Sequence, residues 1–454
     1  MECDCVAKTS MLTLNGNSIV HFLGGIGNLH KLYRQNNNNH TGAIYTLKDL
    51  YRFHVKFHQF MADGLSSSST TTTSKPVKAF LPNGYPRSVS NDYLEYQFWD
   101  SVQAFCSSIM NNLATQAIFK GVGVGDASAT VLAATITWIL KDGTSIIGSL
   151  LFATIQCTRM DSDCKRWRLF ADLINDMAIL IDLLSPIFIG FYFTTIQCCS
   201  GILRSLVGIA GGATRAALTQ HQAKCNNMAD VSAKDQSQER IVNLFALIFS
   251  LIFMPFVSDQ PVLIWTMFTV FTTGHIYSNY CAVRSVCIEV FNKKRLAIFL
   301  ENFHFKSSSI KNNLSIDSIN HEENVWFFLQ TKHDQIFENV HFISGKLPSS
   351  TDEMQSMIKD PINDQFIINY QSNHDNYYIH TKSFATEIII ESLCLLFILQ
   401  NLDHFNNDNV FEIHQKNMPK IWRKITENDW NISHVLMAET FIDDDDDCDH
   451  EKSY

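Results

Sequence analysis

Charge is what the middle of this chain has least of. From Ala127 to Val283 Lys, Arg, Asp and Glu are scarce, whereas the C-terminal third is rich in Asn, Asp, His, Lys and Glu. A disulfide framework is also missing: the twelve cysteines are scattered, and Cys157, Cys198, Cys199, Cys281, Cys287 and Cys394 lie in apolar stretches, the pattern of reduced buried thiols. Cys3 with Cys5, Cys448 with His450, and His54 with His58 fall short of the four ligands of a closed zinc site. The N-terminus has no basic region followed by an apolar core, so a cleaved signal peptide is not expected. No nucleophile–base pair stands out, which argues against an enzyme. The net charge of -10, much of it from Asp443 to Asp447, argues against nucleic acid as a partner. The glycine run Gly121 to Asp126 follows a helical pattern where a phosphate-binding loop must follow a strand, so it reads as a turn.

What the middle does have is long apolar runs: Leu183 to Leu203, Ile241 to Ser258 and Gln260 to Val283. Such runs suit helices that cross a bilayer core of roughly 30 Å. The sequence predicts six crossings, near Phe98–Phe119, Ala127–Cys157, Leu169–Gly190, Phe191–Leu218, Ile241–Val257 and Pro261–Val283. That arrangement puts Arg159, Lys165, Arg166, Arg168, Lys224, Lys234, Arg240, Arg284 and Lys293 to Arg295 on one side and only Lys120 on the other. By the positive-inside rule both termini then face the cytosol or its equivalent.

The expected fold is mainly α: a multi-pass membrane bundle of about six helices followed by a small α+β soluble domain. Homopolymer tracts at Asn36 to Asn39 and Ser66 to Thr73 mark residues 1–80 as a largely disordered low-complexity extension, with a short helix near Tyr45 to Met61. The bundle is expected over 81–303, a separable α+β domain over 304–440, and an acidic tail over 441–454. Within the α+β part, Gln365 to Tyr370 and Tyr377 to Thr381 read as strands around a polar turn, and Ala385 to Leu399 as a buried helix.

Several charges fall in or near the predicted spans, where burying one costs several kcal/mol unless it is paired. Asp172, Asp176 and Asp182 share one helix with Asn175, and Arg168 reaches Asp172 at the i, i+4 spacing. Arg204 and Arg215, on the next helix, are the candidate partners of Asp176 and Asp182, and Arg215 is expected to be paired inside the bundle. Asp142, beside Lys141 and Gly143 at an expected interruption of its helix, is a further buried-charge candidate. These groups can be structural pairs, or can bind an anionic substrate and relay protons. The polar stretch Gly211 to Glu239, with His221, Asn226, Asp230, Lys234 and Asp235, is either a binding surface or a loop whose residues cap helices, Ser232 to Asp235 matching a capping box.

Five blocks carry a family resemblance: LPNGYP with DYLEYQFWD over Leu81 to Asp100, Thr115 to Asp126, KRWRLFADLINDMAILIDLLSP from Lys165 to Pro186, GATRAALTQ from Gly212 to Gln220, and NNMADVSAKDQSQE from Asn226 to Glu239. With these motifs in this order, Leu81 to Phe303 resembles the root UVB sensitive (RUS, DUF647) family. The resemblance implies a link to light responses and vitamin B6 homoeostasis, and hands over no catalytic residue. Pyridoxal phosphate is the ligand it suggests for Arg215 and Lys234, although no lysine is identifiable as a Schiff-base site. No cofactor is assigned. The expected partners are the bilayer, a small anionic metabolite, and a protein partner or second copy; a non-enzymatic membrane scaffold is the competing role.

Overall fold

The computed structural model describes residues 80–124, 130–156, 159–258, 260–303, 314–344, 357–359, 365–371, 376–381, 383–401, 407–437 and 442–443. All of them fall in one compact unit, Gln59–Tyr454. The expected N-terminal extension with His54 and His58, the Cys3–Cys5 and Cys448–His450 pairs, Gly125-Asp126 and nearly all of the acidic tail lie outside the described residues.

The N-terminal part is helical: α1 (Tyr93–Val122), α2 (Val131–Gln156), the single turn α3 (Arg159–Ser162), α4 (Cys164–Leu184), α5 (Phe191–Gln222), α6 (Met228–Val257) and α7 (Pro261–Ser285). α1 lies along α7, α6 and α4, while α5 packs on α4 and α2. The glycine run is a helix end: Gly123 sits at φ 90° and its N–H caps the last carbonyls of α1, a conformation that costs glycine least. Pro261 opens α7 where no N–H is needed.

Among the described residues three helices, rather than six, are long and apolar enough to cross a membrane by length and composition: Val131–Thr154 within α2, α5 and α6. α4 falls short because Lys165, Arg166, Arg168, Asp172, Asp176 and Asp182 dilute it, and α7 because Thr, Ser, Asn and His residues do. The run Leu183 to Leu203 is two helix ends joined by a 3-10 turn at Ser185–Ile187. The polar stretch after Gly211 is mostly helical as well. α5 runs on to Gln222 and α6 starts at Met228, so Ser232 and Asp235 sit inside a helix whose N-cap is Asn227, and the expected capping box is absent. Lys141-Asp142-Gly143 does not break α2.

α2 is held to α5 by close approach. A Cβ at Gly201 would come 2.6 Å from Ser145 Oγ and 3.1 Å from the Lys141 carbonyl, whereas one at Gly208 would meet nothing within 4 Å. Gly201→Leu should therefore lower the thermal midpoint of the solubilised protein, at a cost of about 1–3 kcal/mol or more, with Gly208→Leu nearly neutral. Equal effects at the two positions would show that this approach is not what seats α2.

The second part is mixed α and β: β1 (Val290–Asn292), α8 (Lys293–Phe303), α9 (Ile316–Glu322), α10 (Lys332–Ile336), β2 (Val340–Ser344), β3 (Met357–Lys359), β4 (Phe366–Gln371), β5 (Asn376–Thr381), α11 (Thr386–Asn401), α12 (Asn407–Glu427), β6 (Asn431–Leu436) and β7 (Ile442–Asp443). The two expected strands form the β4–β5 antiparallel pair, with Ile368 opposite Ile379. They lie in a five-stranded sheet of order β3-β4-β5-β2-β7, and β1 pairs in parallel with β6. The expected buried helix is α11, whose Ile389 to Leu399 are almost wholly enclosed.

The boundary expected at 303 cuts through this core. Phe291, Leu296 to Leu300 and Phe303 pack with Phe342, Phe366, Ile379 and Leu393 to Leu399, and Phe291 stacks on Trp430 at 4.1 Å. β1 and α8 thus belong with the sheet. The expected linker at Ser307 to Ser309 lies outside the described residues.

Candidate functional site

Polar residues recur at helical spacing on the facing sides of three helices: Asp100, Gln103, Ser107 and Asn111 on α1, Arg168, Asp172, Asp176 and Asp182 on α4, and His275 and Asn279 on α7. Steps of three and four keep these residues on one stripe of each helix as far as Asp176, and Asp182 follows seven residues after Asn175. The stripes meet. Arg168 Nη2 donates to Asp100 Oδ1 at 2.9 Å, and its Nε lies 3.8 Å from Asp172. Asp172 also accepts from Gln103 Nε2 at 2.8 Å and from the Asn279 amide. His275 is fully buried, with Nδ1 2.9 Å from Asp176 and Nε2 3.3 Å from Gln103 Nε2. A neutral ring protonated on Nδ1 satisfies both contacts, while a doubly protonated ring needs Gln103 to turn its oxygen inward.

The line continues through Ser107, which accepts from Asn175 at 3.2 Å and whose carbonyl accepts from Asn111 at 3.0 Å. Asn111 Oδ1 then accepts from Arg204 Nη1 at 3.0 Å, and Arg204 Nη2 holds Asp182 at 2.6 Å. Gln197 donates to Asp182 at 3.3 Å and accepts from Lys141 Nζ at 2.8 Å. Two hydrogen-bonded groups, the first of α1, α4 and α7 and the second of α1, α4, α5 and α2, thus follow one another along these stripes as a polar column.

Of the two arginines expected to serve Asp176 and Asp182, Arg204 takes Asp182. Arg215 takes neither: its guanidinium lies 2.6 Å from Asp235 and 2.6 Å from Glu239, one turn apart on α6. Asp176 is served by His275. His221 lies 2.8 Å from Asp92, whose carboxylate also accepts from the Ser90 hydroxyl and from Cys287 N at 2.8 Å. Burial opposes the charge on Asp92, but these partners outweigh it and hold the carboxyl below its ordinary range. Lys234 is half-buried on α6. Asp142 is exposed, because Lys141 points at α5 and the next residue is turned about 100° away from it. The residues that sequence reasoning left out of the site are Asp100, Gln103, Asn111, Gln197 and Asn279, and i, i+3 or i, i+4 spacing from one another or from Ser107 and His275 was the signal for most of them.

A second charged group lies where the bundle meets the sheet. Glu323 accepts from Arg295 Nη1 at 2.9 Å and from Asn292 at 3.0 Å and lies 3.2 Å from Lys165 Nζ, with all four residues buried. Burial pushes Glu323 up, yet Arg295 and Lys165 together bring its carboxyl down to about 2. The Lys165 ammonium is also pulled below its ordinary value, since burial outweighs what a carboxylate shared with Arg295 returns to it. Beside Asn292 opens a cavity of about 540 Å³, lined among others by Asp163, Arg166, Trp167, Lys294, Asp334 and His341. Arg166 and Lys294 both pair with Asp334, at 2.9 and 3.4 Å. Among the described residues no group of three or more His, Cys, Asp or Glu is placed to hold a metal.

Comparison with known proteins bears on what this architecture belongs to. The family model described as "Vitamin B6 photo-protection and homoeostasis domain" matches residues 66–307. RUS family member 1 of Dictyostelium discoideum is 44% identical over 253 residues, covering 55% of this chain and 47% of that protein. Protein root UVB sensitive 3 of Arabidopsis thaliana is 43% identical over 227 residues, covering 50% and 51%. Protein root UVB sensitive 2, chloroplastic, also of Arabidopsis thaliana, is 28% identical over 255 residues, covering 54% and 58%. The chain spans about half the length of the curated relatives it matches, and no solved structure matches it. The family match takes in the whole helical bundle with its buried column, and the chain belongs to the root UVB sensitive (RUS) family.

Proposed function

We propose that the protein is a multi-pass membrane protein that carries a small anionic metabolite across the bilayer. The observation that supports this reading is the column: charged and amide side chains buried between helices whose outer faces are apolar. Charges within a membrane span cost insertion energy and usually face a bundle interior or a solute path. Six crossings are compatible with three apolar helices if the polar faces of α1 and α4 are inner ones, screened from lipid by their neighbours.

The charge balance suggests how an anion would move. Asp100, Asp172, Asp176 and Asp182 face Arg168, Arg204, Lys141 and His275, so the column is one negative charge in excess while His275 is neutral. A monoanion entering with one proton on His275 leaves that balance unchanged. The cavity at the base, lined by the cations Arg166, Lys293 and Lys294, would serve as the entrance. The family description names vitamin B6, which makes its phosphorylated forms the first solutes to test.

In proteoliposomes the full chain should show solute flux that rises with a proton gradient and is lost in His275→Gln and Asp176→Asn. One observation favours the scaffold reading instead: each charge of the column already has a partner. If both variants insert and the wild type moves no solute with or without a gradient, the column is structural and the scaffold reading replaces transport.

A further inference from the structure

The segment after α9 presents three large apolar side chains outward: Phe327, Phe328 and Leu329 are 37%, 72% and 60% exposed. A floppy loop would fold such residues away, but this one is pinned open. Val325 is buried with Leu169 of α4 and Val283 of α7, and Trp326 stacks on Tyr280 of α7 at 5.6 Å. The Asn324 side chain accepts from Trp326 N at 3.0 Å and donates to the Leu329 carbonyl, which also accepts from Arg166 Nη2 at 2.7 Å. Phe327 lies 4.5 Å from Phe170 and 5.1 Å from Trp167.

These rings continue an apolar surface that begins on α2. Phe152 meets Trp167 at 5.9 Å, and the neighbouring Leu150 and Leu151 are 63% and 59% exposed on the outer face of α2. The loop therefore sits where α2 ends, α4 begins and α7 ends, beside Lys165, Arg166, Arg168 and Arg284. Aromatic rings above an apolar band and beneath basic residues are the pattern of a membrane boundary.

We infer that residues 326–329 are an interfacial anchor, with Phe328 and Leu329 immersed between lipid headgroups and acyl chains and Trp326 and Arg166 fixing the depth. This rests on the membrane reading proposed above. Immersion covers a rigid apolar tip whose exposure to water is otherwise uncompensated. It also fixes how deep the bundle sits, and so holds the basal cavity at headgroup level.

The test uses the full chain in phosphatidylcholine nanodiscs with the photoreactive residue p-benzoylphenylalanine at one position at a time. Position 328 is the probe, position 151 on α2 is the lipid control, and position 423, on the exposed side of α12, is the water control. All three residues are exposed, so folding is not at stake. Position 328 should give lipid adducts in a yield close to that of 151 and about tenfold or more above that of 423. Lipid adducts at 151 with none at 328, or crosslinks at 328 to a second copy of the chain, would overturn the anchor and leave the membrane reading standing. Absence of lipid adducts at 151 as well would overturn both.

Discussion

Glu323→Gln should cost about 3–5 kcal/mol, the penalty of leaving buried charges unpaired, and should lower the thermal midpoint of the solubilised protein by on the order of 10 °C. The reason is the uneven count around Glu323, one carboxylate to two cations. Removing it strands both Lys165 and Arg295, of which Arg295 is 1% exposed and has Nη2 without a hydrogen-bond partner already. Lys165→Met should be far milder, since it leaves Arg295 and Glu323 as a balanced pair. A larger loss from Lys165→Met than from Glu323→Gln would show that the charge count is not what matters. The pH dependence follows from the depressed acid. The folded carboxyl titrates at about 2 against an ordinary 4.5, so its stabilisation is fully present above about 4.5 and fades as pH falls toward 2. In Glu323→Gln that limb of the stability curve should flatten.

The second large effect is expected at Asp182, which is fully buried against Arg204 and Gln197. Asp182→Leu alone should destabilise by about 3–5 kcal/mol, because Arg204 is left facing a gap. Adding Arg204→Met removes the stranded charge, and the double variant should recover most of the loss, as buried pairs replaced by apolar residues of similar volume often do. Comparing flux in the folded double variant with wild type then separates two roles. Retained flux assigns this end of the column to packing, whereas a folded protein without flux assigns it to the solute path. If the double variant is no more stable than Asp182→Leu, the pair is not an independent unit.

The helices and the β4–β5 pair were legible because their signals are local. The expected span Phe98–Phe119 lies within α1, and Ala385 to Leu399 predicted α11, from local patterns that neighbours did not override. The partner of Arg215 was missed for an identifiable reason. Reading 219–240 as a loop hid the fact that Asp235 and Glu239 are one turn apart and can both face one guanidinium. Lys141-Asp142-Gly143 looked like a break because Asp and Gly disfavour helix interiors, yet the apolar flanks carry the helix through. The misplaced boundary at 303 has a different cause. β1 is three residues long, and nothing local in Val290–Asn292 indicates a partner near the other end of the chain.

That pairing sets an order of events in time. Val290 lies beside Asn431, about 140 residues later, and at 5–20 residues per second a ribosome needs on the order of ten seconds to make the difference. During that interval the bundle helices are already complete, while Phe291 and Phe299 lack Trp430, the ring they pack against. The core of the second part therefore closes last, and only on a chain synthesised past Trp430. A premature stop after the bundle but before Trp430 leaves a finished bundle attached to an open apolar seam, the form that quality-control chaperones and proteases recognise.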